Sequence, residues 1–388
     1  MTWVDVPADS GFPLENLPFG VVRAADRPAT VVVRLGDHVV DLAAAGIEPS
    51  LTAQPSLNAV MASGRGLELR ERAAEHLTGP ARPQTVYAVR DVDVVMPFAV
   101  ADYVDFYSSL QHATNMGRIL RPDDEPLMPN WRHLPVGYHG RAGSVVVSGT
   151  PVVRPSGLVA GEGDAVGFRP TARLDFELEV GFVVGRPGSG IAPDDAGAHV
   201  FGAVLVNDWS ARDIQAYEYR PLGPNLGKSF ATTISPWVVT LDALQPYLVP
   251  SPVQDPPPAP YLRADGDWAL DLQLAVSING DVVSRTGLRD LYWTFAQQLA
   301  HMTVNGATAR TGDLFASGTV SGDAPDSWGS LMELSWGGAR PVQLAHESAR
   351  TFLEDGDTVV LRGACCAPGK PRIGFGEAAG TVVPGRSE

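Results

Sequence analysis

Residues 174–184 read LDFELEVGFVV, in which acidic and apolar side chains alternate and then give way to an uncharged run. Alternation with a period of two is typical of a β-strand, so Asp175, Glu177 and Glu179 share one face while apolar side chains occupy the other. In such a strand the Cα atoms of Glu177 and Glu179 lie about 7 Å apart. Both carboxylates are then close enough to converge on one ion.

Two interpretations of this strand remain open from the segment alone. A half-exposed strand with a solvated acidic face has the same alternation, and this is the commoner case. The apolar residues that continue through 180–184 favour instead a strand that enters a core. The choice therefore depends on acidic residues elsewhere in the chain.

Two aspartates stand in apolar surroundings. Asp208 comes after the apolar run VLV, and Asp105 lies within the segment DYVDFY. Either one alone is typical of a helix cap or a turn. If they joined Glu177 and Glu179, four carboxylates within about 5 Å would repel by roughly 3 kcal/mol per pair at an effective dielectric constant near 20. Such a cluster requires a cation or protons, and all-oxygen ligands select a hard ion, Mg²⁺ or Ca²⁺.

The candidates for acid–base catalysis are the histidines of the chain. They are His38, His76, His112, His133, His139, His199, His301 and His346. His112 differs from the others because it follows Asp105 by seven residues, about two turns if both lie on one helix, which places the two side chains on nearly the same face. A base in that position would act on water held near a metal. A helical histidine beside an aspartate is more often a surface pair, so that alternative stays open.

Composition excludes several classes of function. The 29 Lys and Arg residues against 44 Asp and Glu give a formal charge of −15, which argues against a nucleic-acid partner. No apolar run approaches the roughly 20 residues that cross a bilayer, and residues 1–9 lack a basic and then apolar leader. The neighbours Cys365 and Cys366 provide neither a disulfide framework nor a cysteine zinc site. We therefore expect a cytoplasmic protein without a membrane or nucleic-acid partner.

Two familiar catalytic motifs are absent. The segment GPNLGKS at 223–229 places three residues between its glycines, whereas a phosphate-binding loop needs four. The chain also lacks the Gly-x-Ser-x-Gly motif of α/β-hydrolases. Lys228 and Arg212 are accordingly interpreted as positive groups that balance an acidic centre or hold an anionic substrate.

The order of the predicted elements indicates a mainly β chain of the α+β class. Residues 1–95 alternate short β-rich runs with turns, as small barrels do, and 96–388 form a second, larger unit. Regular alternation of strands with helices, which marks a doubly wound sheet, is missing. Strands are predicted at 20–23, 30–35, 39–42, 144–147, 176–184, 200–207, 237–241, 272–278, 331–335 and 358–362. Helices are predicted within 51–76 and at 107–120 and 290–304, and 245–260 is predicted to be a proline-rich loop.

Taken together, long segments of the chain resemble the fumarylacetoacetate hydrolase family. The segments are FPLENLPFG at 12–20, DYVDFYSS at 102–109, QHATN at 111–115, PNW at 129–131, LPVGYHGR at 134–141, NDWSARDIQ at 207–215, LGKSF at 226–230, ASGT at 316–319 and LMELSW at 331–336. They are spread over nearly the whole chain.

The resemblance implies a fold and a metal site. An N-terminal SH3-like barrel, placed here at 1–95, precedes a mixed β-roll catalytic domain, placed at 96–388, and the protein forms a homodimer. The metal is Mg²⁺ or Ca²⁺. Its implied ligands are Asp105, Glu177, Glu179 and Asp208, and Lys228 and Thr232 match a second position that is associated with magnesium.

The resemblance also implies roles for individual residues. His112 matches the general base of the family, and Glu333 matches the carboxylate that orients it. The groups that match positions near the developing anion are Arg212, Gln215 and Lys228. The substrate-contacting positions are matched by Tyr107, Arg121, Tyr138, Gln215, Tyr219 and Thr319.

The activity that the resemblance implies is hydrolysis of the carbon–carbon bond of fumarylacetoacetate to fumarate and acetoacetate, the last step of tyrosine and phenylalanine breakdown. A 1,3-diketone such as this diketo acid chelates a hard cation through its two oxygens. His112 would take a proton from the water that attacks the carbonyl on the fumaroyl side. Related proteins with the same acidic residues act on acylpyruvates or as decarboxylases, hydratases or isomerases of oxo-acids, so another oxo-acid enzyme is the alternative. A non-catalytic binder of oxo-acids is a more distant one.

Overall fold

β-Sheets dominate the computed structural model, which describes residues 2–25, 27–161, 165–345 and 348–385. His346, one of the candidate histidines, lies outside the described residues. Within the described ranges, no helix is long and apolar enough to cross a membrane.

The N-terminal part of the chain forms an antiparallel five-stranded sheet. In spatial order its strands are Val86–Ala88, His38–Asp41, Thr30–Leu35, Phe19–Arg23 and Asp93–Val95. The tight turn after Leu35 uses Gly36 at a φ of +56°, a conformation that glycine adopts without strain. The strands predicted at 20–23, 30–35 and 39–42 are confirmed to within one residue.

Three helices cover one face of this sheet. They are Pro49–Thr52, Asn58–Ser63 and Gly66–Thr78, and the predicted break falls at Gly64, whose φ is +66°. Val21 and Val33 pack with the buried leucines of the helices, whereas Val22 and Val32 on the opposite face pack with Phe12 and Trp237. Both faces of the sheet are therefore buried.

The remainder of the chain is organised around a larger mixed sheet. Its strands, in spatial order, are Gly137–Gly140, Tyr103–Phe106, Leu314–Ala316, Leu178–Val184, Val200–Asp208, Thr232–Ile234 and Val145–Val147, with Val239–Thr240 also paired to Val200–Asp208. Tyr103–Phe106 runs parallel to Leu314–Ala316, and Val145–Val147 runs parallel to Thr232–Ile234. The other pairs are antiparallel.

A five-stranded sheet packs against the larger one. In spatial order its strands are Asp281–Gly287, Leu272–Ile278, Thr358–Cys365, Ile373–Val383 and Val152–Val153. Leu205 of the larger sheet shares one hydrophobic core with Leu274, Leu361 and Phe375 of this sheet. The two sheets and the N-terminal antiparallel sheet confirm the predicted mainly β class.

Shorter elements complete the chain. The remaining paired strands are Ser156–Ala160 with Val166–Pro170, Leu174–Asp175 with Ser210–Ala211, Gly188–Ser189 with Thr308–Ala309, and Leu248–Val249 with Ala269–Leu270. The 3₁₀ turns are Pro83–Thr85, Val89–Asp91, Ala142–Ser144, Pro193–Ala198, Gln245–Tyr247, Pro260–Leu262 and Pro325–Ser327. The turn Gln245–Tyr247 and the short strand Leu248–Val249 lie within the proline-rich segment 245–260, and the turn Pro260–Leu262 begins at its last residue. The remainder of the segment is loop, as predicted.

Over its described residues, the larger part of the chain has five helices, and all but Arg212–Glu218 begin after a capping side chain. They are Leu110–Leu120, Arg212–Glu218, Leu241–Leu244, Phe295–Thr303 and Leu331–Leu334. Ser109 accepts a hydrogen bond from the backbone N–H of His112, and Thr294 forms a capping box with Gln297. The helices predicted at 107–120 and 290–304 therefore start later than predicted, since capping fixes where each begins.

Two predicted strands are wrong or shortened. Residues 331–335 were expected to form a strand, but Leu331–Leu334 is a helix whose N-cap is Ser330. Of the strand predicted at 237–241 only Val239–Thr240 forms a strand, preceded by a β-bridge between Val238 and Phe19, and the strand ends because Thr240 caps the helix Leu241–Leu244. In both places a hydroxyl side chain accepts a backbone N–H three residues ahead and starts a helix.

Candidate active site

Four buried carboxylates converge on the larger sheet. Asp105, Glu179 and Asp208 lie on three of its strands, and Glu177 precedes Glu179 by two residues. One oxygen atom from each of the four lies within 4.8 Å of those of the others. None of these residues is more than 4% exposed, so the segment 174–184 does not present a solvated acidic face.

Two cations contact this four-carboxylate cluster. The Nζ of Lys228 lies 2.7 Å from Oδ2 of Asp208 and also forms a close ion pair with Glu177. The Nη2 of Arg212 lies 2.8 Å from Oε1 of Glu177. Four buried carboxylates against two cations leave an excess of negative charge.

The charges of the cluster shift its pKa values in opposite directions. Burial, reinforced by neighbouring carboxylates, raises the pKa values of Asp105 and Glu179 well above their ordinary range. Burial acts in the same sense on Glu177, but Lys228 and Arg212 outweigh it and hold the pKa of Glu177 below its ordinary value. The negative charge of Glu177 is thus balanced by cations, whereas that of Asp105 and Glu179 is not.

A hard divalent cation would balance the uncompensated negative charge of Asp105 and Glu179. Oδ1 of Asp105 and Oε1 of Glu179 are buried and have no hydrogen-bond partner among the described residues. Buried polar oxygens without partners are costly, and a cation satisfies them. All four groups offer oxygen, the donor type that Mg²⁺ and Ca²⁺ prefer. The residues present therefore suit a hard cation better than zinc or copper.

A histidine–glutamate pair lies beside the cluster. The Nδ1 of His112 is 2.6 Å from Oε2 of Glu333, and both side chains are buried. Ser330, which forms a backbone bridge with Glu177, donates a hydrogen bond to Glu333, so the pair lies next to the cluster. The alternative of a surface pair does not hold, because the partner of His112 is the buried Glu333.

The helical relationship predicted between Asp105 and His112 is wrong. Asp105 lies on the strand Tyr103–Phe106, and the helix that carries His112 begins only at Leu110. Seven residues therefore span a strand end, a turn and the cap Ser109. The two side chains reach the same region through the fold and not through helical spacing.

Polar neighbours hold the carboxylate of Glu333 in place. Asn115 donates a hydrogen bond of 3.0 Å to Oε1, and Ser321 and Ser330 donate hydrogen bonds of 2.9 and 2.8 Å to Oε2. Burial alone would raise the pKa of Glu333. The His112 ring and these donors outweigh burial and keep that pKa below its ordinary value.

Three further predicted residues contact the cluster or the histidine. The hydroxyls of Tyr138 and Thr232 donate hydrogen bonds of 3.1 Å to the two carboxylate oxygens of Asp208. The ring of Tyr107 stands edge-on to that of His112, with centroids 5.3 Å apart. A cavity of about 220 Å³ opens here, lined by Tyr138, Asp208, Lys228 and Thr232 among others.

The other predicted residues lie further from the cluster. Oε1 of Gln215 accepts a hydrogen bond of 3.3 Å from Arg212, and Thr319 is buried next to Gly318, whose N–H donates to Glu179. Arg121 donates to the carbonyl of Pro126. Tyr219 follows the helix Arg212–Glu218. In the part of the chain that the structure describes, neither of these last two side chains has a hydrogen bond to the cluster.

Sequence reasoning missed four residues that support the site. Asn115, Ser321 and Ser330 hold Glu333, and Asp175 binds Arg212. Ser330 had a signal, since it precedes Glu333 by three residues, the spacing of a capping box. The position of Asp175 on the face of Glu177 and Glu179 was predicted, but its contacts were not.

The matches to known families cover both parts of the chain. Residues 102–383 match the sequence model of "Fumarylacetoacetate (FAA) hydrolase C-terminal", and residues 15–97 match that of "Fumarylacetoacetase N-terminal". With the buried cluster and the His112–Glu333 pair, these matches define an enzyme of the hydrolase class. The chain belongs to the fumarylacetoacetate hydrolase family.

Full-length relatives agree with this assignment. The chain is 48% identical to the fumarylacetoacetase of Caenorhabditis elegans, with 99% of each chain covered. It is 44% identical to the fumarylacetoacetase of Homo sapiens, again with 99% of each covered.

Solved structures share the fold. The fumarylacetoacetate hydrolase of Exiguobacterium antarcticum aligns with a TM-score of 0.58 at 19% identity, covering 95% of this chain and 99% of that one. Maleylpyruvate hydrolase from Sphingobium sp. SYK-6 aligns with a TM-score of 0.56 at 19% identity, covering 95% and 100%. At these identities the likeness shows the fold alone.

Proposed function

We propose that this protein hydrolyses the carbon–carbon bond of fumarylacetoacetate to give fumarate and acetoacetate, the last step of tyrosine and phenylalanine breakdown. The observation that carries the proposal is the buried His112–Glu333 pair next to four carboxylates with an excess of negative charge. The full-length relatives, which are fumarylacetoacetases, support the choice of substrate.

The metal that we propose is Mg²⁺ or Ca²⁺. Asp105, Glu177, Glu179 and Asp208 would hold it, and Lys228 with Thr232 would form a second, magnesium-associated position beside Asp208. When bound, such a cation supplies Lewis-acid polarisation of the substrate's carbonyl oxygens. The unpartnered oxygens of Asp105 and Glu179 support this assignment.

The proposed base is Nε2 of His112. Because Glu333 is ionised and binds Nδ1, the proton of the neutral imidazole resides on Nδ1 and Nε2 keeps its lone pair. Nε2 takes a proton from water as the oxygen attacks the carbonyl on the fumaroyl side. Glu333 then stabilises the imidazolium that forms. The bond to the adjacent carbon breaks, and the proton from His112 completes acetoacetate.

Positive and polar groups stabilise the charge that develops. We propose that Lys228, Arg212 and Gln215 meet the oxyanion and the electron pair of the departing carbon. Lys228 and Arg212 are buried and held by ion pairs, so they need little reorganisation during the reaction.

The ends of the substrate require separate contacts. We propose that Arg121, Tyr107 and Tyr138 bind a terminal carboxylate, with Tyr219 and Thr319 completing the pocket. The buried Nε of Arg121 and Oγ1 of Thr319 have no hydrogen-bond partner among the described residues, which supports a ligand-binding role for both.

The larger organisation is also a proposal. We propose an N-terminal domain at 1–95 and a catalytic domain at 96–388, a division that the separate family matches support. We further propose a homodimer in the cytoplasm. The free thiols of Cys365 and Cys366 are consistent with a reducing compartment.

A substrate panel tests the proposed reaction. Purified protein with Mg²⁺ or Ca²⁺ is incubated with fumarylacetoacetate, with acylpyruvates and with other small oxo-acids, and products are quantified by chromatography. We expect fumarate and acetoacetate in equal amounts and a higher kcat/KM for fumarylacetoacetate than for any acylpyruvate. Turnover of an acylpyruvate without turnover of fumarylacetoacetate would favour another oxo-acid reaction on the same site.

A further inference from the structure

Asp175 is a buried carboxylate that the proposed mechanism does not use. It is fully buried on the two-residue strand Leu174–Asp175, which pairs with Ser210–Ala211. A buried charge is costly unless it is paired and hydrogen-bonded, so its partners explain why it is present. Those partners lie in two different directions.

In one direction Asp175 holds Arg212 against the cluster. Oδ2 of Asp175 lies 2.8 Å from Nε and 2.7 Å from Nη2 of Arg212. The same Nη2 lies 2.8 Å from Oε1 of Glu177. Two contacts to a planar guanidinium fix its orientation as well as its position. Asp175 therefore sets where Arg212 meets the cluster.

In the other direction Asp175 holds the helix that carries Glu333. Its Oδ1 accepts the N–H of Leu331 at 2.7 Å, and its Oδ2 accepts that of Met332 at 3.1 Å. Ser330 accepts the next N–H, that of Glu333, at 3.2 Å. The helix Leu331–Leu334 has only four residues and is too short to be stable by itself. The backbone bridge between Glu177 and Ser330 brings its start beside the cluster, and the hydrogen bonds to Asp175 fix its first turn there.

One carboxylate thus joins the two halves of the site. We propose that Asp175 is a positioning residue that fixes the distance between the four-carboxylate cluster and the His112–Glu333 pair. The inference rests on the proposed function, because that distance places the base relative to the substrate. Asp175 acts through Arg212 and through the helix Leu331–Leu334. A displacement of about 1 Å between reacting groups can lower a rate on the order of 100-fold.

Asp357 provides a matched control. It too is buried, binds Nε and Nη2 of Arg350 at 2.8 and 2.9 Å, and accepts the N–H of Glu354 at 2.7 Å. This second aspartate–arginine pair lies outside the site. Asp357→Asn therefore loses the same kind of interaction without touching the catalytic groups.

The test compares Asp175→Asn with Asp357→Asn in the full-length metal-loaded protein. For Asp175→Asn we expect kcat on fumarylacetoacetate to fall about 10- to 100-fold with KM changed less than about threefold, because orientation is lost and substrate contacts are kept. For Asp357→Asn we expect kcat within about twofold of the unsubstituted protein. The second readout is the downfield proton NMR signal of His112 Nδ1–H, identified by its loss in Glu333→Gln. Asp175→Asn should shift it, and Asp357→Asn should not.

The outcomes separate this inference from the proposed function. If the unsubstituted protein does not turn over fumarylacetoacetate, the proposed function fails, while the NMR signal still reports on Asp175. If Asp175→Asn does not fold, Asp175→Glu, which keeps the charge and moves the oxygens by one methylene, takes its place with the same expected results. Unchanged kcat together with an unmoved NMR signal in a folded variant would overturn the proposal. Failure of both variants to fold would overturn it too, by assigning Asp175 to folding alone.

Discussion

Nδ1 of His112 lies 2.6 Å from Oε2 of Glu333, and the same Glu333 oxygen also accepts hydrogen bonds from Ser321 and Ser330. A carboxylate with so many donors is held ionised, and its pKa lies below the ordinary value despite burial. The imidazole is fixed in one orientation with Nε2 available as a base. This geometry supports the proposal that the pair activates water.

Replacing the proposed base should abolish most of the activity and spare the metal site. We expect His112→Ala to lower kcat by roughly 10²- to 10⁴-fold, the contribution of a positioned base. Calorimetric titration with Ca²⁺ should give an affinity within a few-fold of that of the unsubstituted protein, because His112 is not one of the proposed metal ligands. The control is His301→Ala, whose ring contacts Tyr261 away from the cluster. A His112→Ala variant with near-normal turnover would exclude His112 as the base.

Glu333→Gln should reveal the lowered pKa of Glu333. A carboxyl with a lowered pKa in the folded state contributes stability that is present above its unfolded pKa, about 4.3, and is lost as the pH falls through the folded value. The unsubstituted protein should therefore exceed Glu333→Gln in unfolding free energy at pH 7 and at pH 5, and the difference should shrink below about pH 4.3. Urea unfolding of both proteins at these pH values measures the difference in unfolding free energy. A difference that is already lost at pH 6 would contradict a lowered pKa.

Asp105→Asn should make the metal-free protein more stable. Burial and the neighbouring carboxylates disfavour the charged form of Asp105 and raise its pKa, and its Oδ1 has no hydrogen-bond partner among the described residues, so the substitution removes a group that is unfavourable without metal. We expect a higher melting temperature without metal, and a Ca²⁺ affinity lower on the order of 10-fold or more. Asp313→Asn is the control, because Asp313 is buried but accepts the backbone N–H groups of Asp102 and Arg310. A lower melting temperature for metal-free Asp105→Asn would argue against repulsion in the cluster.

Lys228→Met, in contrast to Asp105→Asn, should make the metal-free protein less stable. Breaking a buried ion pair leaves uncompensated charge and typically costs about 3–5 kcal/mol. Lys228 pairs with Asp208 and Glu177, so the metal-free variant should lose stability of this order, and added Ca²⁺ should restore part of it. The control is Lys370→Met, the other lysine of the chain, which is exposed and should change stability by less than about 0.5 kcal/mol. Equal effects of the two substitutions would contradict the charge balance described for the cluster.

Much of the fold follows from local sequence, and the failures have physical causes. The strand predicted at 176–184 is confirmed from Leu178 to Val184, because a period of two is distinctive over several residues. Leu174–Asp175 forms a separate short strand with another partner, which the alternation could not indicate. Residues 331–335 are too few to show a period, and their helix depends on Asp175, which lies 156 positions from Leu331 along the chain. The strand Ile373–Val383 was missed because its glycines and alanines give little β-propensity.

The site was predictable in its residue types and less so in its geometry. Spacing placed Glu177 and Glu179 together, but only the fold brings Asp105 and Asp208 to them. Asp105 and His112 were predicted to lie near each other because of helical spacing, but Asp105 lies on a strand and only His112 lies on a helix. Contacts between distant segments, such as Glu333 with His112, leave no local pattern.

The central claim is that metal-dependent hydrolysis of fumarylacetoacetate takes place at the four-carboxylate cluster beside His112. The most direct test follows the diketone absorbance of fumarylacetoacetate with the purified protein, with chelator-treated protein, and after Mg²⁺ or Ca²⁺ is added back. We predict that the absorbance is lost with the purified protein, persists after chelation and is lost again on adding metal, with fumarate and acetoacetate formed in equal amounts. Persistence of the diketone with protein that has bound metal would contradict the claim.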